Sequence, residues 1–174
     1  YRNLLDGVEP ERAALVRNPF REWIGALIRA DVHGWAHPGD PAAAARSVYP
    51  DAWLSHRRNG LYGALWAAAT SASAVAADNV DAVLEAGLSV IPADCALAAA
   101  VRRGQALGRS GRPLDDALDD LLAAYGGLHW VHAVNNAALI AYALSASGGQ
   151  FVEAVGIAVM GGWDTDSAGA TTGA

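Results

Sequence analysis

Alanine constrains this chain more than any other residue. It fills forty of the 174 positions, and it loses no side-chain entropy on entering a helix. Val and Ile are modest, Phe occurs twice, and no apolar–polar alternation persists long enough to specify a strand. Such a composition predicts closely packed helices, an all-α protein. The length fits one domain over residues 1–174, enough to bury a real core.

Apolar spacing and Gly, Pro and cap residues divide the chain. A short helix is expected over 9–16, with Pro10 in its first turn, and Asn18-Pro19 resets the backbone. Phe20, Trp23, Ile24, Leu27 and Ile28 fall at helical spacing and predict a second helix over 20–32. Residues 34–40 read as a loop by their Gly and Pro content. Asp40 then serves as N-cap and Pro41 as first residue of a helix to about Leu54. Further helices are expected over 61–77, over 80–87 behind an Asn79 cap, and over 92–107, 114–125, 131–145 and 151–160. A last helix opens at Asp164-Thr165-Asp166-Ser167. In the helix over 114–125, Leu114, Leu118, Leu121 and Leu122 should face inward. Asp115, Asp116, Asp119 and Asp120 should face solvent. Trp23 and Trp66 are expected in the core and Trp35 at a pocket rim.

Charge and cysteine narrow the function classes. The net charge is −6, every one of the twelve basic residues is Arg, and no basic stripe forms. Nucleic acid is therefore not expected as the main partner. The single Cys95 excludes an internal disulfide; in its apolar run it reads as a buried, inert thiol, and a cytoplasmic location is expected. No apolar run approaches the 18 residues of a membrane span, and the first residues show no signal-peptide core. The chain opens without Met and stops at Ala174 inside an expected helix, so a fragment of a longer protein is expected.

The acidic ending carries the most chemistry. Asp164 and Asp166 flank one residue and Ser167 follows. Two carboxylates and a hydroxyl are hard oxygen donors, suited to Mg²⁺, Mn²⁺ or Ca²⁺ rather than zinc or copper. Gly161 and Gly162 permit a tight turn before them, and the small residues behind let the helix approach its neighbours. Two simpler readings compete. An Asp ahead of a helix is a common N-cap. Asp164, Asp166 and Gly169 also occupy positions 1, 3 and 6 of a calcium loop, though Ala168 at position 5 offers no side-chain oxygen.

The stretch from Val159 through Ser167 to Gly173-Ala174 resembles the C-terminal metal motif of the ADP-ribosylglycohydrolases, a Gly-Gly-Asp-Thr-Asp-Thr pattern followed by small residues and Gly-Ala. Trp163 stands where that family has its second Gly, and Ser167 replaces a Thr while keeping the hydroxyl. Upstream, Gly25 to Gly34 resembles the family's central Gly-x-x-Met-Arg-x-x-Pro-x-Gly segment, near bound phosphate and ribose. Leu54-Ser55-His56 resembles its Thr-His element, and Val131 to Ala138 a helix start lining the ligand pocket. The resemblance covers residues 18–174.

The resemblance implies a compact orthogonal multi-helix domain of which this chain is the C-terminal part, without the N-terminal third. It implies a hydrolase that cleaves the glycosidic bond between ADP-ribose, or a related ribosyl group, and its acceptor at a binuclear Mg²⁺ or Mn²⁺ site. Asp164, Asp166 and Ser167 are then metal ligands, and His56, Arg29, Asp31, Asn135 and Trp163 substrate contacts. Trp163 would offer a stacking face. His56 would donate to a phosphate or ribose oxygen, or else bond to backbone. Arg29 would grip phosphate in bidentate fashion, or pair with Asp31 or another acid. The substrate would be an ADP-ribosylated protein or a small ADP-ribosyl compound. The family's other metal motif, a hydroxyl residue followed by two Asp, has no match here, and its general base is expected in the same missing part. The chain alone is thus expected to be inactive. Two alternatives remain: a catalytically silent relative with a binding or structural role, and a calcium-binding loop protein.

Overall fold

Alanine-rich segments become helices nearly throughout the computed structural model, which describes residues 1–174. The helices are α1 (Arg2–Leu5), α2 (Pro10–Ala13), α3 (Asp31–Trp35), α4 (Pro41–Ser55), α5 (Asn59–Ala74), α6 (Val80–Leu88), α7 (Ala96–Arg109), α8 (Leu114–Tyr125), α9 (Ala133–Ala146), α10 (Phe151–Met160) and α11 (Thr165–Gly173). A 3-10 turn covers Ile24–Ala26, and no strand forms. None of the helices is long and apolar enough to cross a membrane.

Capping residues set several boundaries. The Asp40 carboxylate accepts the Ala43 N–H at 2.8 Å, and the Asn79 side chain accepts the Ala82 N–H at 2.9 Å. Each satisfies an orphan amide of a first turn, worth about 1 kcal/mol. α7 starts at Ala96 rather than Pro92, because Cys95 is its cap: Sγ accepts the Ala98 N–H at 3.3 Å. The thiol is therefore half-buried at a helix start and not sealed in the core.

The core is organised around α9, in which every residue from Ala133 to Ala143 is buried. α5, α7, α10 and α11 all pack on it. α7 approaches closely through Gly104 and Gly108. A Cβ at Gly104 would collide with the Ala138 carbonyl oxygen of α9. α5 contributes fully buried Trp66 amid a wall of buried alanines.

The segment 20–32 departs from the single helix expected there. Its backbone pairs with the residues ahead of α9: the Ile24 N–H donates to the Val131 carbonyl at 2.8 Å, and the Ala133 N–H donates to the Glu22 carbonyl at 2.9 Å. Trp23 and His132 thereby form an isolated antiparallel bridge. These non-local bonds replace the helical ladder, and helix resumes only at α3. The apolar spacing is used for burial all the same, since Ile24 and Leu27 are in the core. Trp23 is half-buried, its ring between Phe20 and His129 at centroid distances of 4.2 and 4.6 Å. The helix expected over 9–16 contracts to α2, and the loop expected from Gly34 begins after α3. Leu122 is exposed; Ala117 and Leu121 are the fully buried positions of α8.

Two glycines test the close-packing account. Gly104→Ala should destabilise the protein by about 3 kcal/mol in urea denaturation, through the clash with α9. Gly156→Ala in α10, where an added Cβ meets nothing within 4 Å, should be neutral or stabilising by up to about 1 kcal/mol.

Candidate functional site

The acidic ending lies on a turn that an ordinary residue resists. α10 stops at Met160, and Gly162 (φ +79°) and Trp163 (φ +55°) then both take the left-handed conformation. That geometry costs a residue with a Cβ about 1–2 kcal/mol, which accounts for glycine at this position in the motif the turn resembles. The Trp163 side chain packs half-buried beside Leu118, Leu121 and Leu122 of α8, along a cleft of about 110 Å³. Its apolar contacts offset the strain.

From this turn the chain enters α11 with Asp164 in the N-cap position. The Asp164 backbone N–H donates to Asn136 Oδ1 at 3.2 Å, and its carbonyl accepts the Ala168 N–H at 2.9 Å. Asp164 is buried, and its carboxyl lies against the Ser167 hydroxyl and backbone N–H and the Asp166 carboxyl, in a geometry short of a full capping bond. The cap reading thus describes its backbone, while its carboxyl is shared between Ser167 and Asp166. Ser167 is buried and Asp166 exposed. Burial, and then the adjoining Asp166 carboxyl, push the Asp164 carboxyl above the usual range; Asp166, accepting a hydrogen bond from it, is held below. Neither acid forms an ion pair with Arg or His. Two oxygen-donor acids in contact, one buried, without a basic partner and beside a buried hydroxyl, fit a hard divalent cation. No third His, Cys, Asp or Glu side chain gathers with them. Because Thr165–Gly173 is helical, the twelve-residue loop of a calcium site cannot form there.

Asp164 and Ser167 line a cleft of about 330 Å³ together with His56, Ser55 and Gly25, and with the aromatic side chains Phe20 and Trp23. His56 follows the last residue of α4 in an extended conformation. Its Nδ1 is 2.8 Å from Ser55 Oγ. Burial, reinforced by the charge of Arg29, pushes its pKa down to about 4, so the ring is neutral at pH 7.

Other expected contacts lie elsewhere. Arg29 is spent on this chain: Nε donates to the Asp51 carboxylate and Nη1 to the Gly25 carbonyl, both at 2.7 Å, and Nη2 to Ser55 Oγ at 3.0 Å. Its acidic partner is Asp51, not Asp31. Asp31 is buried at the start of α3 against Ser71 Oγ at 3.3 Å, away from this cleft. Asn135 is fully buried, its amide donating to the His129 carbonyl at 3.2 Å. Its neighbour Asn136 reaches the site instead, donating to the Trp130 and His132 carbonyls at 2.9 Å while accepting from Asp164. Trp163 faces the other cleft. Sequence reasoning named Asn135 but not Asn136 as a substrate contact, placed Trp23 in the core, and gave no signal for Phe20 as a cleft wall.

Fold and site together define an all-α protein with an acidic, oxygen-rich cleft built where helix ends meet. Residues 1–174 match the ADP-ribosylglycohydrolase family, and the chain belongs to that family. No curated protein and no solved structure matches it.

The buried Asp31 carboxyl supplies a pH test. Burial pushes its pKa from 3.8 to about 7, with the Ser71 hydroxyl opposing. Below about pH 4 it is protonated in folded and unfolded chains alike. Between about 4 and 7 only the unfolded chain ionises, so stability falls as pH rises, and the loss is complete above about 7. Asp31→Asn should flatten this slope in urea titrations and exceed the parent by about 2 kcal/mol at pH 8.

Proposed function

We propose that this chain supplies the C-terminal share of a binuclear Mg²⁺ or Mn²⁺ site in a hydrolase that cleaves the glycosidic bond between ADP-ribose, or a related ribosyl group, and its acceptor. The observation that carries this reading is the meeting of buried Asp164 and Ser167 with His56 on one cleft, beside the exposed Asp166 carboxylate, which has no basic partner. Asp164, Asp166 and Ser167 would hold the metal. Bound divalent ions supply Lewis acidity and a water of lowered pKa.

The chain's own residues do the rest of the positioning. The cleft of about 330 Å³ is at the lower end of the size range of small-ligand sites. That suits the ribosyl end of the substrate more than a whole ADP-ribosyl group. Phe20 and Trp23 form its apolar wall, and Asn136 fixes the Asp164 backbone. A binuclear site needs more ligands than two carboxylates and a hydroxyl. The further ligands, a Thr/Ser-Asp-Asp element by the resemblance, and the general base come from outside these residues. The substrate is an ADP-ribosylated protein or a small ADP-ribosyl compound, and one half-buried free thiol suits the reducing cytoplasm.

The test is release of ADP-ribose by the full-length protein with Mg²⁺ or Mn²⁺. Asp166 is exposed, so Asp166→Ala should fold normally and lose at least about 100-fold in turnover. Wild-type turnover in that variant would defeat the metal assignment. The 174-residue chain alone should release no ADP-ribose; measurable turnover by it would show that the ligand set is complete within these residues.

A further inference from the structure

We infer that Asp51, Arg29 and Ser55 hold His56 as the neutral tautomer protonated on Nε2, so that it presents a hydrogen-bond donor, and no base, to a substrate oxygen in the cleft. The substrate contact rests on the glycohydrolase reading; the tautomer does not.

A guanidinium can only donate and never loses its proton in a protein. Arg29 is fixed by three anchors: the Asp51 carboxylate and the Gly25 carbonyl, both at 2.7 Å, and the Asp51 carbonyl at 3.3 Å. Its Nη2 faces Ser55 Oγ at 3.0 Å. The serine oxygen is therefore an acceptor on that side, and its own proton must go elsewhere. The acceptor in reach is His56 Nδ1 at 2.8 Å. With Nδ1 accepting, a neutral imidazole carries its hydrogen on Nε2.

Nε2 makes no hydrogen bond within the protein. It lies beside Gly25, where a built Cβ would stand 3.7 Å away, and His56 lines the same cleft as Asp164 and Ser167. An Nε2–H in that position offers one donor to a hydroxyl or phosphate oxygen. It has no lone pair to take a proton from water or to bind a metal through that nitrogen. Ser55, Arg29 and Asp51 are positioning residues that act through His56, which reassigns Arg29 from phosphate contact to support.

The decisive measurement is the long-range ¹H–¹⁵N spectrum of the histidine rings at pH 7 in metal-free buffer, with His56 assigned by loss of its signals in His56→Gln. Wild type should show the Nε2–H pattern. Ser55→Ala should convert it to a mixture of tautomers, and Ser55→Thr, which keeps the hydroxyl, should restore it. In steady-state assays of the full-length protein Ser55→Ala should raise KM about fivefold, leave the pH–rate profile unmoved, and be rescued by Ser55→Thr. An Nδ1–H or imidazolium pattern in wild type overturns the inference whatever the variants do. A KM untouched by Ser55→Ala overturns the substrate contact. An Nε2–H pattern in a full-length protein that hydrolyses no ADP-ribosyl compound supports the tautomer and tells against the glycohydrolase reading.

Discussion

Concealment of α9 is the constraint on which the other helices depend. A helix covered on every face needs neighbours on all sides, and they fit only where the contact surfaces are small. Ala133, Ala137, Ala138, Ala141 and Ala143 provide that on α9, and Gly104 and Gly108 provide it on α7. Full burial also forbids unsatisfied polar groups. Asn135 and Asn136 meet this demand by binding the carbonyls of the loop ahead of the helix, His129, Trp130 and His132. The remaining acceptor of the pair, Asn136 Oδ1, then takes the Asp164 N–H. Core packing and the acidic turn are thus joined through one side chain.

The cleft is assembled from places where helices stop. Ser55 and His56 come from the end of α4, Gly25 from a segment whose neighbouring backbone bonds to residues ahead of α9, and Asp164 and Ser167 from the start of α11. Helix ends free the chain from a fixed rotation per residue and leave amides and carbonyls available. They also concentrate strain, and Trp163 in the left-handed region shows it. A strained residue persists when its surroundings over-determine it. Here the Trp163 indole packs against the core, and Asn136 holds the backbone of the next residue, Asp164.

Much of this was legible from local signals. Asp40 and Asn79 cap as their side-chain chemistry dictates, and α8 and α10 have the limits that apolar spacing and flanking glycines imply. The acidic turn was legible because its residue types are unusual together. What escaped was non-local. Phe20 to Ile28 has helical spacing, yet its backbone is claimed by residues more than a hundred positions later. Arg29 finds Asp51 across 22 positions, a pairing no helical i, i+4 rule anticipates. Asn135 and Asn136 differ by one helical step of about 100°, which decides which amide meets Asp164. Leu122 is exposed while Ala117 and Leu121 are buried, so the buried face of α8 is turned away from Leu122.

The charges around the cleft are arranged so that its acids stay unopposed. An arginine that reached Asp164 or Asp166 would neutralise them and compete with any cation. Arg29, the guanidinium whose charge acts on His56, is instead tied to Asp51 and two backbone carbonyls. The same ties aim its remaining donor at Ser55, and through it set the protonation of His56. One ion pair at the foot of α4 therefore does two things. It keeps positive charge off the oxygen donors, and it makes the ring facing them a neutral donor. A half-exposed Arg–Asp pair contributes little to stability, so its structural value lies in this placement of charge.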